Sequence, residues 1–308
     1  MTSKLLSFVL KAKRILQSRL LNTHDTMKQS ILFLFFTCIS FLGLAQDDRV
    51  RLIVRSDDMG FSHAANHAMI ETYEQGITTS VEVMVPAPWF PEAVKLLQEY
   101  PELDVGIHIT LTSEWSNLKW RPLTQAPSIT DDDGYFYPMI WPNKNYGPEQ
   151  ALKEQAWDLE EIEAELRAQI EMAVKYLPQI SHLSAHMGCT SISPKVDSIY
   201  HNLASEYGLD IHPDELGVQR ARYAGPKDTF DQKKESFSQM LRSLTPGTYM
   251  FVNHPAYDVD EVRGINHIGY TDVAQDRQGV TDLLTDAEVK KLIEDLNIEL
   301  ISYADLVN

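Results

Sequence analysis

Three apolar runs rich in β-branched residues, with a helical pattern in each gap, constrain this chain more than anything else in it. RLIVRS (51–56), TTSVEVMV (78–85) and DVGIHITL (104–111) read as strands. The first gap holds SHAANHAMIETYEQG (62–76), with Ser62 placed as an N-cap and Gly76 as a stop. The second holds FPEAVKLLQEYPE (90–102), closed by Pro101. Strands joined by helices run parallel, and a parallel sheet must be covered by those helices. The pattern resumes after an interruption. ISHLSAHMG (180–188) reads as a strand end, SPKVDSIYHNLASEYG (193–208) as a helix with Pro194 in its first turn, and LDI (209–211) as a short strand. A helix over 231–244, a strand over 247–256, a helix over 285–297 with a Thr285/Glu288 capping box, and a strand over 298–306 complete the reading. No glycine-rich phosphate loop follows the first strand, so the βα units favour a (β/α) barrel over a dinucleotide-binding sheet. No repeat, low-complexity tract or internal linker divides the chain, which predicts a single α/β domain over 46–308.

Residues 113–148 break the rhythm. They carry Trp115, Trp120, Trp141 and the run DDDG with no clear period. A loop of this length is a candidate functional segment, and its tryptophans suit stacking on a sugar; an excursion packed by its own tryptophans reads equally well. The stretch 149–178 predicts one long helix or a helix pair.

The N-terminus has a different character. MKQSILFLFFTCISFLGLAQ (27–46) has Lys28 as a short positive region, an apolar run from Ile31 to Leu42, and Gly43-Leu44-Ala45 as a small-x-small cleavage site. The run is too short for a membrane span, which needs about 20 residues. It reads as a signal peptide over 27–45, with 1–26 a basic upstream segment or a start placed too early. The expected destination is export, to a periplasm or the exterior, with no membrane span left afterwards. Cleavage would remove Lys4, Lys11, Lys13, Arg14, Arg19 and Lys28 against only Asp25, so the exported chain is more acidic than the whole chain at −17. Such a surface argues against nucleic acid and anionic membrane, and suits a neutral or cationic substrate. Only Cys189 then remains, which rules out an intrachain disulfide.

Ionisable residues gather at the predicted strand ends. Asp57 and Asp58 follow the first strand, His108 ends the third, His182 and His186 follow the 180s strand, and His254 follows TYMFVN. The carboxyl ends of parallel barrel strands converge on one face. One Asp and two His make a divalent-cation site with room for water and substrate. A second carboxylate could then serve as a base and a separate His as an acid. Each residue alone has a plainer reading: the Asp pair as a helix cap, His108 as a hydrogen-bonded core residue, Cys189 as a small packed residue. His63 and His67, one turn apart, read as solvated surface, and ISHLSAH has no helical face that would pair His182 with His186.

LIVRSDDMGFSHAANHAMIETYEQGITTSVEVMV, DVGIHITLT, HLSAH and NHPA, in that order and spacing, resemble the YdjC-like carbohydrate deacetylases, also called the ChbG/HpnK family. The resemblance spans most of 50–306. It implies a modified (β/α) barrel of the glycoside hydrolase/deacetylase type, and metal-dependent hydrolysis of N-acetyl groups on an oligosaccharide, chitooligosaccharides being the known class. By the same resemblance Asp57 is the general base, Asp58, His108 and His186 hold one divalent ion (zinc or magnesium), and His254 is the general acid. Arg277 matches a downstream arginine and, with Trp115 and Trp120, is expected at the substrate. The family pattern Thr-His-x-Asp-Ser-His reads here Ser181-His182-Leu183-Ser184-Ala185-His186, which removes a carboxylate beside the ligands. Loss of such a supporting group commonly weakens metal binding or activity about 10–100-fold. The competing readings are a secreted glycan-binding protein with decayed activity and a glycoside hydrolase; a homodimer is left open.

Overall fold

A computed structural model describes residues 49–307. The basic segment 1–26 and the expected signal peptide 27–45 lie outside the described residues. β1 (Val50–Met59) is the strand around which the rest is arranged. Its Leu52, Ile53 and Val54 are wholly buried, and each buried side chain of this kind is worth about 1.5–3 kcal/mol. β2 (Ser80–Val83), β3 (Asp104–Ile109), β4 (Ile180–Ala185), β5 (Gln219–Ala221), β6 (Gly247–Asn253) and the short β7 (Glu299–Leu300) complete a seven-stranded sheet. Every pairing is parallel and the order is β4-β3-β2-β1-β6-β5. β6 accompanies β1 from Val50 to Ser56, so β7 and β2 share its other edge, β7 at Arg51–Leu52 and β2 from Arg55.

The sheet is barrel-like but not closed by hydrogen bonds. β4 and β5 are its edges, and among the described residues they do not pair. Ser184 and Ala185 of β4, Arg220 of β5 and Tyr303 from the C-terminal segment line one cavity of about 360 Å³, so the two edges face each other across a seam. Tyr303 is buried at this seam, its ring stacked on His182 at 3.4 Å and its hydroxyl bonded to Arg55.

The helices follow local capping chemistry. α1 (His63–Glu74) is capped by Ser62, as expected, and α2 (Phe90–Glu99) starts with proline in its first turn. The stretch expected to be one long helix or a helix pair forms two 3₁₀ turns, Pro148–Gln150 and Leu152–Glu154, before α3 (Leu159–Tyr176). Asp158 starts α3 by accepting from the Glu160 and Glu161 N–H groups. α4 (Pro194–Tyr207) ends at Gly208. LDI does not become a strand; β5 forms ten residues later and α5 (Phe230–Ser243) follows it, capped by Thr229. After the short α6 (Asp260–Arg263) comes α7 (Val273–Thr285), which the sequence pattern did not signal. It consumes Thr285, so α8 (Ala287–Asp295) is capped by Asp286 rather than by the expected box. No helix of the described residues is long and apolar enough to cross a membrane.

Candidate active site and metal centre

The backbone explains how two adjacent aspartates reach one pocket. Neighbouring strand residues point to opposite faces. Here the β1–β2 register shifts between Ser56 and Met59, and Asp58 adopts φ 74°. A left-handed residue other than glycine costs on the order of 1 kcal/mol and concentrates at functional sites. Gly60 continues the bend at φ 106°, where a Cβ would meet the Met84 carbonyl oxygen at 3.1 Å. Both carboxylates consequently face His108: its Nε2 lies 3.7 Å from Asp57 Oδ2 and 3.6 Å from Asp58 Oδ1.

His186 arrives from the connection after β4, where Met187 and Gly188 both take positive φ and turn the chain. Its Nδ1 lies 3.2 Å from Asp58 Oδ1 and its Nε2 3.1 Å from Glu114 Oε2. One ligand atom each from Asp58, His108 and His186 can be chosen so that all three lie within 4.8 Å of one another, and all three residues are buried. Asp58 Oδ1 is itself buried and makes no hydrogen bond among the described residues. A buried carboxylate oxygen that makes no hydrogen bond, yet lies 3.2 and 3.6 Å from two imidazole nitrogens, fits a divalent cation, which takes carboxylate and imidazole ligands together. Cys189, close by in sequence, turns away: it is buried, its thiol donates to the Ile109 carbonyl, and burial pushes it up to about 12. A second grouping, His63 and His67 of α1 with Glu92 of α2, sits at the surface, away from the buried centre.

Each charged group is fixed by a partner. Arg55 grips Asp57 with two bonds of 2.7 Å, Nε to Oδ1 and Nη2 to Oδ2. Arg277 of α7 donates to Asp58 Oδ2 at 2.9 Å and spreads its guanidinium over the Phe61 and Trp115 rings. Burial alone would raise the Asp58 carboxyl, but His254, Arg277 and His186 outweigh it and hold it well below the carboxylate range. Burial also works against charge on His186, yet the Glu114 and Asp58 carboxylates raise it to about 10. Burial pulls His108 down to about 4. His254 follows β6; its Nε2 is 4.0 Å from Asp58 Oδ2 and its side chain is 43% exposed.

Asp58, His186, His254, Arg277 and Trp115 line one cavity of about 260 Å³. Trp120 does not line it. It is buried, and its Nε1 donates to the Thr112 carbonyl at 2.7 Å, so it packs the 113–148 segment. Sequence reasoning missed Glu114, Arg55 and Glu82. Arg55 and Glu82 had a readable signal, a lone charge inside an apolar strand. Glu82 is wholly buried, and although burial opposes its charge, His182 and Arg55 take it down to about 2.

Comparison with known proteins gives a consistent result. Residues 51–295 match a family model described as YdjC-like protein. A protein named carbohydrate deacetylase from Thermoanaerobacter pseudethanolicus is 30% identical over 267 residues, 83% of this chain and 98% of that one. One of the same name from Brevibacillus brevis is 31% identical over 273 residues, 83% of this chain and all of that one. A solved structure from Enterococcus faecalis V583, named for cellobiose-phosphate cleavage, superposes with a TM-score of 0.65 at 23% identity, covering 84% of this chain and 99% of that one, and so shares the fold.

Proposed function

The chain belongs to the YdjC-like family, and from that premise we propose that it is a carbohydrate deacetylase that uses one divalent ion to remove N-acetyl groups from an oligosaccharide of the chitooligosaccharide kind. The observation that carries the metal reading is Asp58 Oδ1, buried without a hydrogen bond between His108 Nε2 and His186 Nδ1. Asp58, His108 and His186 would hold the ion. When bound, such an ion polarises an acyl oxygen and makes water acidic enough to attack at neutral pH.

The chain's own residues supply the rest. Asp57 takes the proton of the attacking water; its two bonds to Arg55 keep the carboxylate from rotating away. His254 gives a proton to the departing nitrogen, a role supported by its partial exposure at the cavity and its place beside Asp58. Trp115, with 2% of its surface exposed, lines the cavity and walls it against water. Arg277 fixes the orientation of Asp58 from the far side. The acidic chain (−17) favours a neutral or cationic glycan, and a deacetylated product gains an amine. We also propose export after cleavage behind Ala45, a reading that rests on the sequence of residues 27–46 alone.

Acetate release measured over N-acetylated oligosaccharides of different length, with zinc and then magnesium, tests the activity, with Asp58→Ala as control. Acetate appearing without glycosidic cleavage is the expected result. Sugar binding with no acetate under either metal would favour a glycan-binding protein instead.

A further inference from the structure

Behind His108 stand buried groups that neither line the catalytic cavity nor belong to the proposed ligand set. Ser184 Oγ lies 2.7 Å from His108 Nδ1 and donates to Glu82 Oε2. Glu82 Oε1 accepts from His182 Nε2 at 2.7 Å, and the Arg55 guanidinium lies 3.8 Å from the same oxygen. Glu82 and His182 are wholly buried and Ser184 nearly so. The sheet register brings them together: Gly106 of β3 pairs with Glu82 on one side and His182 on the other, and His108 pairs with Ser184. Gly106 is what makes room, because a Cβ there would fall 2.3 Å from Glu82 Oε2 and 2.4 Å from His182 Nε2.

Proton counting gives this chain of bonds a direction. A hydroxyl has one proton, and a carboxylate can only accept. The Ser184 proton goes to Glu82, so Ser184 Oγ must accept from His108. The His108 ring proton therefore sits on Nδ1, which leaves the Nε2 lone pair facing Asp57 and Asp58. A histidine ligand is commonly oriented by a carboxylate on its other nitrogen; here the carboxylate stands one hydroxyl further back.

We propose that Glu82, acting through Ser184, is a positioning residue that holds His108 in the Nδ1–H tautomer and aims its Nε2 at the cation site. The proposal rests on the metal reading above and assigns a task to a pair of buried side chains that touch neither substrate nor ion. It also turns the serine at 184 from a loss into half of a two-residue support.

Two readouts on the full chain test it: imidazole ¹⁵N NMR without metal, and zinc titration by calorimetry. Ser184→Ala leaves the Glu82–His182–Arg55 contacts in place, so it keeps the fold even if Glu82→Gln does not. In both variants zinc affinity is expected to fall about 10–100-fold, and the His108 nitrogen signals to move from one tautomer to a mixture. Glu82→Ser combined with Ser184→Asp, which moves the carboxylate to within direct reach of His108, should recover both readouts. Ser184→Ala with wild-type zinc affinity and an unchanged tautomer overturns the proposal, and so does a double variant that melts no lower than Ser184→Ala yet binds zinc as weakly. A wild-type chain that binds no zinc overturns the metal reading. The NMR readout, taken without metal, still decides the Ser184–Glu82 link by itself.

Discussion

The two imidazoles of the centre are supported from different parts of the molecule. His186 comes from a connection with two positive-φ residues behind it, and a single loop carboxylate, Glu114, meets its outer nitrogen directly. His108 lies within β3, and its outer nitrogen reaches a carboxylate only through Ser184, across three adjacent strands. The loop-borne half can be tuned by one residue. The strand-borne half is tied to Arg55, His182 and Tyr303, and through Arg55 to Asp57. A change there disturbs the fold and the base together.

The largest expected effect falls where both halves leave the chemistry alone. Asp57→Asn should lower acetate release by about 10²–10⁴-fold while zinc still binds, measured by turnover alongside calorimetry; equal losses in both would mean that Asp57 belongs to the metal support. Next come the two supporting carboxylates. Glu114→Gln should weaken zinc about 10–100-fold and cost less stability than the change at Glu82, because Asp58 still faces His186 as a counter-charge. Glu82→Gln should weaken it similarly and also cost about 3–5 kcal/mol of stability, because Arg55 and His182 lose a buried counter-charge. Denaturant unfolding of the two variants side by side would break the comparison if their stabilities matched.

Acidity separates the halves further. His186 is held near 10, so a proton must leave it when an ion takes Nδ1, whereas His108, down near 4, has none to lose at neutral pH. Zinc affinity should rise about tenfold per pH unit from 6 to 8, a slope of one proton. A slope near two would place a titrating proton on His108 as well. The smallest effect is in acid. Glu82 is lowered from 4.5 to about 2, so its stabilising contribution is complete above 4.5 and is lost as pH falls through about 2. Melting temperature should drop more steeply over that window in the wild type than in Glu82→Gln.

Much of this was legible in the sequence, for physical reasons. Strands that alternate with helices fix the direction of the sheet, so Asp57, Asp58, His108, His186 and His254 had to lie toward one end of it. What could not be read was register. Glu82, His182 and Ser184 become neighbours only because β2, β3 and β4 pair as they do, and Gly106 gives no hint that it clears space for them. The absence of a carboxylate at 184 was visible in the chain, but the one that serves Ser184 lies 102 residues earlier. α7 escaped because Gly279 and its threonines weaken the helical signal, yet that glycine lies against the Lys233 stem, which leaves a Cβ 3.2 Å from Lys233 Cε. The burial of Trp120 could not be read in advance, because aromatic content does not say which ring faces a cavity and which faces the core.

Anomalous diffraction at the zinc edge from zinc-loaded crystals tests the central claim most directly. The account predicts a peak about 2.0–2.2 Å from Asp58 Oδ1, His108 Nε2 and His186 Nδ1 together. A peak only at the surface group of His63, His67 and Glu92, with none between Asp58 and the two buried histidines, would contradict it.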